Sequence, residues 1–354
     1  MAAATIYDVA RRAGVSIKSV SRVLNGERVS EGLRQKVRDA MDQLGYRPSL
    51  SARGLAGSSS FLLAALMDAD LTVEHWRSGR GNDYMSRLEL GALMECRHAG
   101  YHLLVELVDL NSADLGREIL ALLSALRPDG LILTPPVSDS RVALDVLDER
   151  GTPYIRLGAE TELDRGRRVY MDDHRAAYDM TMHLARLGHR EIGFIVGNAR
   201  YAASRARREG FESAMSRQGL PIRADWMLEG DFTFQSGLEC GAQLFAATTR
   251  PTAVFASNDD MAFGVMQAAQ REGLSVPGDV SVVGFDDAPG AQFSVPQLTT
   301  IRQPVAEMAE IAARMLIDLA RSPAEGAPRA HQVAYALMAR GSSAAPAPPF
   351  ARRR

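Results

Sequence analysis

Two cysteines, Cys96 and Cys240, are all that this 354-residue chain contains. They stand alone, without metal-ligand spacing, so neither a disulfide framework nor a zinc site is expected and buried, reduced thiols are the default. Lysine is equally scarce, with Lys18 and Lys36 only. No apolar run approaches the eighteen or so residues that a membrane-spanning helix needs. The sequence also lacks a Gly-rich phosphate loop, a nucleophile elbow and a His-Glu-x-x-His pair, so it points to no cofactor, no metal and no catalytic centre. The first residues are not those of a signal peptide, which sets the expected location as cytoplasmic. The tail, 341–354, is rich in Ala, Pro and Ser, ends in three arginines and has no leucine heptads. It is expected to be disordered and to form no coiled coil.

What is present begins at Thr5. Thr5 with Asp8 three residues on suits a capping box, and Ile6, Val9, Ala10 and Ala13 follow at helical spacing. Gly14 is placed to end that helix in a left-handed turn, and Ser16 to start a second. Val15, Val20, Val23 and Leu24 then face inward, while Ile17, Lys18, Ser21 and Arg22 are left on an exposed face of the size that fits a DNA major groove. A third helix runs from Ser30 as cap through Leu33, Val37, Met41 and Leu44 to Gly45. This is a helix-turn-helix head.

Charge agrees. Residues 1–57 hold ten Lys and Arg against five Asp and Glu, a net of +5, whereas the whole chain is −2. The remaining 297 residues therefore sum to −7, the asymmetry of a phosphate-binding head on an acidic body. The joint, 48–60, has Pro48 where a helix would start and Gly54 within it, so its helix is too weak to stand without a partner. The alternative is a flexible Gly/Ser linker.

From Phe61 the pattern changes to short apolar runs between helical stretches. Segments 61–67, 102–108, 130–134, 191–196, 252–256 and 280–285 read as buried parallel strands. Segments 86–99, 176–187, 204–218 and 260–272 read as helices. About 280 residues of alternating β and α exceed one comfortable domain, which predicts an α/β body of two doubly wound parallel-sheet lobes with a ligand cleft at the strands' carboxyl ends.

The blocks Asp8-Val9-Ala10, Ala13-Gly14-Val15-Ser16, Val20 to Asn25 and Leu44-Gly45-Tyr46-Arg47-Pro48 resemble, in order and spacing, the head of the lactose/galactose repressor (LacI/GalR) family. The resemblance continues through Leu187 to Arg190, Arg207 to Phe211, Gly230-Asp231-Phe232, Ala256 to Asp259, Val282 to Asp287 and Thr299 to Pro304, covering residues 5–340 and sharing the fold of periplasmic sugar-binding proteins. It implies a ligand-responsive regulator, expected to be a repressor of carbohydrate catabolism or uptake genes. It would act as a homodimer on a pseudo-palindromic operator in double-stranded DNA.

The same resemblance implies residue roles. Ile17 and Lys18 would read the operator, Arg22 a base edge, and Ser16 and Ser21 would fix phosphates; Thr5, Asn25 and Arg53 join the DNA-contacting set. For Ile17 the alternative is packing within the head. Leu55, in a hinge helix formed when two copies pair on DNA, would wedge into the minor groove. In the cleft, Arg207, Phe232, Asn258 and Asp286 stand where the family binds its effector, offering a forked donor, a stacking plate and acceptors suited to a sugar or its derivative. Arg207 and Asp286 could instead form a structural ion pair, and Asn258 a turn.

Asp173 stands where similar proteins usually have Asn, after Asp172, and Tyr84 follows a twelve-residue insertion, 72–83, read as a longer loop. Tyr84 either lines the cleft or packs. The expected organisation is a head at 1–47, hinge and linker at 48–60, and a body at 61–340. Crossings near His189, Gln303 and His331 would divide it into lobe one (61–188, 303–330) and lobe two (189–302, 331–340). A nucleoside or other metabolite as corepressor, or an activating role, is the competing reading.

Overall fold

The computed structural model describes residues 4–24, 28–46, 59–78, 82–322 and 329–347. In the head, α1 (Ile6–Ala13), α2 (Ile17–Leu24) and α3 (Glu31–Leu44) close over Val9, Ala10, Val20, Val37, Ala40 and Tyr46. The local chemistry follows the sequence. Thr5 and Asp8 form a reciprocal capping box, and Gly14 and Gly45 end α1 and α3 at φ 65 and 60. Arg12 donates to Gln43 Oε1 at 2.7 Å, tying α1 to α3.

The body holds two parallel sheets. In lobe one, β1 (Leu62–Asp68), β2 (His102–Val108), β3 (Gly130–Leu133), β4 (Tyr154–Leu157) and β5 (Arg167–Tyr170) are joined by β11 (Ala330–Gln332) in the order β11-β5-β4-β3-β1-β2. In lobe two, β6 (Ile192–Val196), β7 (Met227–Glu229), β8 (Ala253–Ala256) and β9 (Ser281–Val283) lie in the order β7-β6-β8-β9. A short antiparallel pair, β10 (Thr300–Arg302) with β12 (Ala336–Met338), runs between them.

Helices cover both sheets. Lobe one carries α4 (Ala69–Ser78), α5 (Asn82–Ala99), α6 (Leu115–Leu126), α7 (Arg141–Arg150) and α13 (Val305–Arg321). Lobe two carries α8 (Asp173–Arg186), α9 (Ala202–Arg217), α10 (Phe234–Ala246), α11 (Asp259–Arg271) and the short α12 (Pro289–Phe293).

Three expectations need correction. Of the segment 72–83, residues 72–78 are helix and not loop: α4 extends to Ser78, started by the Leu71 amide donating to Asp68 Oδ1 at 2.9 Å. The first crossing precedes α8 instead of falling at His189, because α8 packs on α9 of lobe two. Their backbones approach so closely at Gly210 that a Cβ there would sit 2.1 Å from the His174 carbonyl oxygen. Later the chain returns to the lobe-one sheet, where β11 pairs with β5 from Ala330 to Gln332.

Finally, 341–347 is no disordered tail. Ser342 is fully buried, its carbonyl accepts the Val282 amide at 2.9 Å and its hydroxyl donates to the Val282 carbonyl at 2.6 Å, so the segment satisfies the edge of β9. His189 Nε2 holds the Ala344 carbonyl at 2.8 Å beside it.

Arg156, on β4, is fully buried. Its guanidinium donates to the carbonyls of Ser138 (2.6 Å), Thr161 (2.7 Å) and Glu162 (2.8 Å) and to Asp139 (3.1 Å), stitching the loops at the lobe-one rim. Among the described residues no helix is long and apolar enough to cross a membrane. No group of three or more His, Cys, Asp or Glu among them is placed to hold a metal ion.

Candidate functional site: the inter-lobe cleft and the head

The carboxyl ends of β1, β3, β4, β5 and β8, with the first turns of α8, α9 and α11, enclose a cleft between the lobes. Tyr84, Asp173, Arg207, Phe232, Asn258 and Asp286 all line it.

Arg207 is its organising cation. Buried on α9, it donates through Nε to Asp173 Oδ1 at 2.7 Å and through Nη1 to the Ser257 carbonyl at 2.6 Å, with its Cζ 3.7 Å from the centre of the Phe285 ring. Stacking and two charge-assisted bonds hold the planar fork rigidly, and Nη2 makes no hydrogen bond among the described residues. Phe232 stands edge-on to Tyr201, ring centres 5.3 Å apart, at φ 74, a backbone conformation that costs a non-glycine residue on the order of 1–3 kcal/mol.

Two neighbours hold Phe232 there. Asn258 Nδ2 donates to its carbonyl at 2.9 Å, and Gly197 makes room for its ring, since a Cβ at 197 would lie 2.2 Å from it. Asn258 also caps α11, its Oδ1 accepting the Met261 amide at 3.0 Å. It positions the aromatic plate.

Asp286 takes φ 132 and Asp287 φ 54 after β9. Gln303, at the second crossing, donates to Asp286 Oδ1, and both Arg87 terminal nitrogens reach the Asp286 carbonyl from lobe one at 3.1 Å. Burial pushes the Asp286 carboxyl up to about 7 against the opposing pull of Arg207. Asp259, buried behind it, is raised well above the carboxylate range by burial and by Asp286, while it accepts Thr300 Oγ1 at 2.6 Å and the Ala288 amide at 2.8 Å. Asp173 is also raised by burial, which Arg207 opposes. Burial raises the Tyr84 hydroxyl too, and Asp173 adds to it.

In the head, Ile17 is 42% exposed, and Lys18 and Arg22 are exposed beside it on α2. Arg22 Nη2 donates to the Arg28 carbonyl at 3.2 Å. Ser21 is half-buried on the same helix. The hydroxyls of Thr5 and Ser16 serve the helix starts: Thr5 donates to Asp8 at 2.6 Å, and Ser16 Oγ accepts the Ser19 amide at 3.1 Å. Asn25, Arg53 and Leu55 lie outside the described residues, as does the hinge at 48–58.

Residues 5–49 match the family model of bacterial regulatory proteins, lacI family, and 181–343 that of a periplasmic binding protein-like domain. The ribose operon repressor of Escherichia coli (strain K12) is 35% identical over 344 residues, covering 96% of this chain and all of that protein. The chain belongs to the lacI family.

Another relative is catabolite control protein A of Priestia megaterium, 31% identical over 88% of this chain and 91% of that protein. Among solved structures, the lac repressor dimer bound to operator and the anti-inducer ONPF superposes with a TM-score of 0.80 at 28% identity, over 97% of this chain and all of that one. A CelR–cellobiose complex gives 0.72 at 26% identity, over 96% of this chain and all of that one. As a lacI-family protein the chain is a DNA-binding transcription regulator whose head is the helix-turn-helix unit.

Several cleft residues of this lacI-family body escape a reading of sequence. Asp68 ends β1, a place where doubly wound sheets put ligand groups. Asp259 and Asp260 follow Asn258 directly, and Gln303 sits within the Thr299 to Pro304 block, so these had a signal. Tyr201 and Asp83 had none. In the head, Tyr7 is 63% exposed on α1, off the apolar stripe that defines that helix.

Proposed function

We propose that this chain is a cytoplasmic, homodimeric repressor, not an enzyme, whose operator affinity is set by a small polyhydroxy ligand, a sugar or sugar derivative, held between the lobes. The observation that carries this is the rigid set of Arg207, Phe232 and Asp286 converging on one cleft. It combines an oriented donor fork, an aromatic plate and a carboxylate, the combination a polyol ring requires.

Contacts across the cleft supply the lever. Arg200 of lobe two reaches Asp68 of lobe one at 2.6 Å, and Arg87 of lobe one reaches the Asp286 carbonyl of lobe two, so a ligand that rearranges either wall changes the lobe angle. An effector shifts DNA binding only through its different affinity for the two lobe arrangements. Relatives named for ribose operon repression and a solved neighbour bound to cellobiose support the carbohydrate class.

Pairing rests on lobe one. Leu90, Leu93 and Met94 on α5 and Leu104, Val105 and Leu107 on the edge strand β2 are exposed apolar side chains on neighbouring elements, a surface that a second copy would cover. Two heads on a two-fold axis then demand a two-fold operator.

The decisive measurement is fluorescence anisotropy on symmetric sites from the chain's own promoter region, across a salt series, with and without a sugar panel. A salt-sensitive preference for one symmetric site, shifted by a sugar, is expected. Equal binding to random duplex, with no shift from any sugar, would overturn the proposal.

A further inference from the structure

Asp286 reaches the cleft from a turn that the backbone of a residue with a side chain adopts at a cost. It takes φ 132 and the next residue, Asp287, takes φ 54, and such a conformation persists only where the surroundings enforce it. Part of the enforcement comes from the main chain: the Asp286 amide donates to the Ile301 carbonyl at 2.8 Å and the Asp287 amide to Thr300 Oγ1 at 3.3 Å, so the turn leans on β10. The stronger hold is the side chain of Asp287.

Asp287 Oδ2 accepts Arg302 Nε at 2.6 Å and its Oδ1 accepts Arg340 Nη2 at 2.5 Å, and the carboxylate side chain is only 2% exposed. Arg340 lies nearly as deep, at 11%, and its Nη1 donates to the Leu298 carbonyl at 2.9 Å. Charge-assisted bonds of this length are the strong ones. Loss of the carboxylate would leave the Arg340 guanidinium buried without its counter-charge.

The two arginines come from different strands. Arg302 ends β10 and is followed by Gln303, which donates to Asp286 Oδ1; Arg340 follows β12, the antiparallel partner of β10. Both strands of the pair that runs between the lobes are thus tied to Asp287, and the residue beside Arg302 holds the carboxylate that faces the cleft. Asp286 takes its place from these strands and not from β9 alone, as a binding group does when a buried neighbour supports it.

We infer that Asp287 is a positioning residue for effector binding: clamped by Arg302 and Arg340, it holds Asp286 in the orientation that meets the ligand and ties that orientation to the strands passing between the lobes. The inference rests on the carbohydrate reading above and adds to it a residue buried away from the ligand.

The test is made on the full chain with Asp287→Asn, because Asn tolerates φ 54 as well as Asp does and the substitution removes the charge while sparing the backbone. Without ligand, amide exchange at residues 286–288 should quicken by roughly tenfold or more while β6 and β8 keep their wild-type protection. Unchanged exchange at 286–288, or protection lost evenly over lobe two, overturns the inference. In calorimetric titration with D-ribose, D-glucose and cellobiose, a sugar that binds the wild type should bind Asp287→Asn roughly tenfold or more weakly. Equal affinity overturns the inference and leaves the carbohydrate reading standing. Binding of none of the three by the wild type overturns that reading, and exchange then decides the role of Asp287. Arg302→Gln, which removes the half-exposed partner and spares the buried one, should act in the same direction and Arg302→Lys should restore both readouts; equal effects of Gln and Lys would show that the ion pair does not hold the turn.

Discussion

Asp129, at the amino end of β3, is the clamp through which lobe one holds the chain that comes from the head. Its Oδ1 accepts the Ser60 amide at 2.7 Å and the Ser60 hydroxyl at 3.0 Å; its Oδ2 accepts the Phe61 amide at 3.0 Å and the Ser59 hydroxyl. These bonds fix Phe61 at φ 55, against the ring of Tyr101, a conformation that costs on the order of 1–3 kcal/mol and persists only where the surroundings enforce it. Hydrogen bonds to a charged acceptor contribute roughly 1.5–3 kcal/mol each, and solvent access at this half-buried junction puts them at the low end.

Asp129→Ala removes all four while relieving the strain. The local opening of 59–61 should therefore become easier by about 3–5 kcal/mol, roughly 150- to 5000-fold in amide exchange at Ser60 and Phe61. Asp129→Asn keeps the Oδ1 half and should cost about half as much. The cleft lies at the other end of β3, beside Pro135, so ligand affinity should stay within twofold of wild type while operator affinity and its response to ligand fall together. Hydrogen exchange read by mass spectrometry, paired with anisotropy on the operator, measures both. Unchanged exchange at 60 and 61, or lost exchange protection with an intact operator response, would refute the clamp.

Three other outcomes follow from the same geometry. Lys18→Ala and Arg22→Ala should weaken operator binding by about 1–3 kcal/mol if these side chains read bases, and an equal loss on random duplex would reduce them to phosphate contacts. Arg156→Met should destabilise the body by about 3–5 kcal/mol in chemical denaturation, because it orphans the carbonyls of Ser138, Thr161 and Glu162 in a buried place; a loss under about 1 kcal/mol would show that water or repacking replaces the guanidinium. Asp286 has its folded pKa raised to about 7 from an ordinary value near 3.8, so between those limits the folded protein binds more protons than the unfolded chain. Its contribution to stability is greatest below the ordinary value and is lost as pH rises toward 7, by at most about 1.4 kcal/mol per pH unit. Asp286→Asn should flatten that part of the denaturation curve, and parallel curves for the two proteins from pH 4 to 8 would contradict it.

The legible parts of the fold were those in which side-chain pattern and backbone need coincide. Thr5, Gly14, Ser30 and Gly45 are residues whose chemistry serves helix ends and little else, so the head could be drawn from sequence nearly residue by residue. The apolar strands β1, β3, β6 and β8 announced themselves because parallel strands are covered on both faces. β4 was hidden by Arg156, a charge in the middle of Tyr154–Leu157 whose burial depends on acceptors at Ser138 and Asp139 before the strand and at Thr161 and Glu162 after it. β5 was hidden by Arg167 and Arg168 in the same way. The tail was misread because serine and alanine look like linker until a strand edge needs small residues with free backbone groups, as β9 needs Ser342.

The site divides along a similar line. Arg207, Phe232 and Asp286 were visible because they sit in distinctive blocks, but what each can do depends on partners that spacing does not reveal. Arg207 presents one free edge because Asp173, Ser257 and Phe285 occupy the rest of it, and Asn258 is spent on holding Phe232 and capping α11. The contacts between the lobes were the least legible property of all. Arg200 meets Asp68 across 132 positions of chain and Arg87 meets the Asp286 carbonyl across 199, and none of these residues differs in sequence from a solvated surface charge. They become neighbours because the chain crosses between the lobes, so the wall on which a ligand would act is built by topology and not by any local block of sequence.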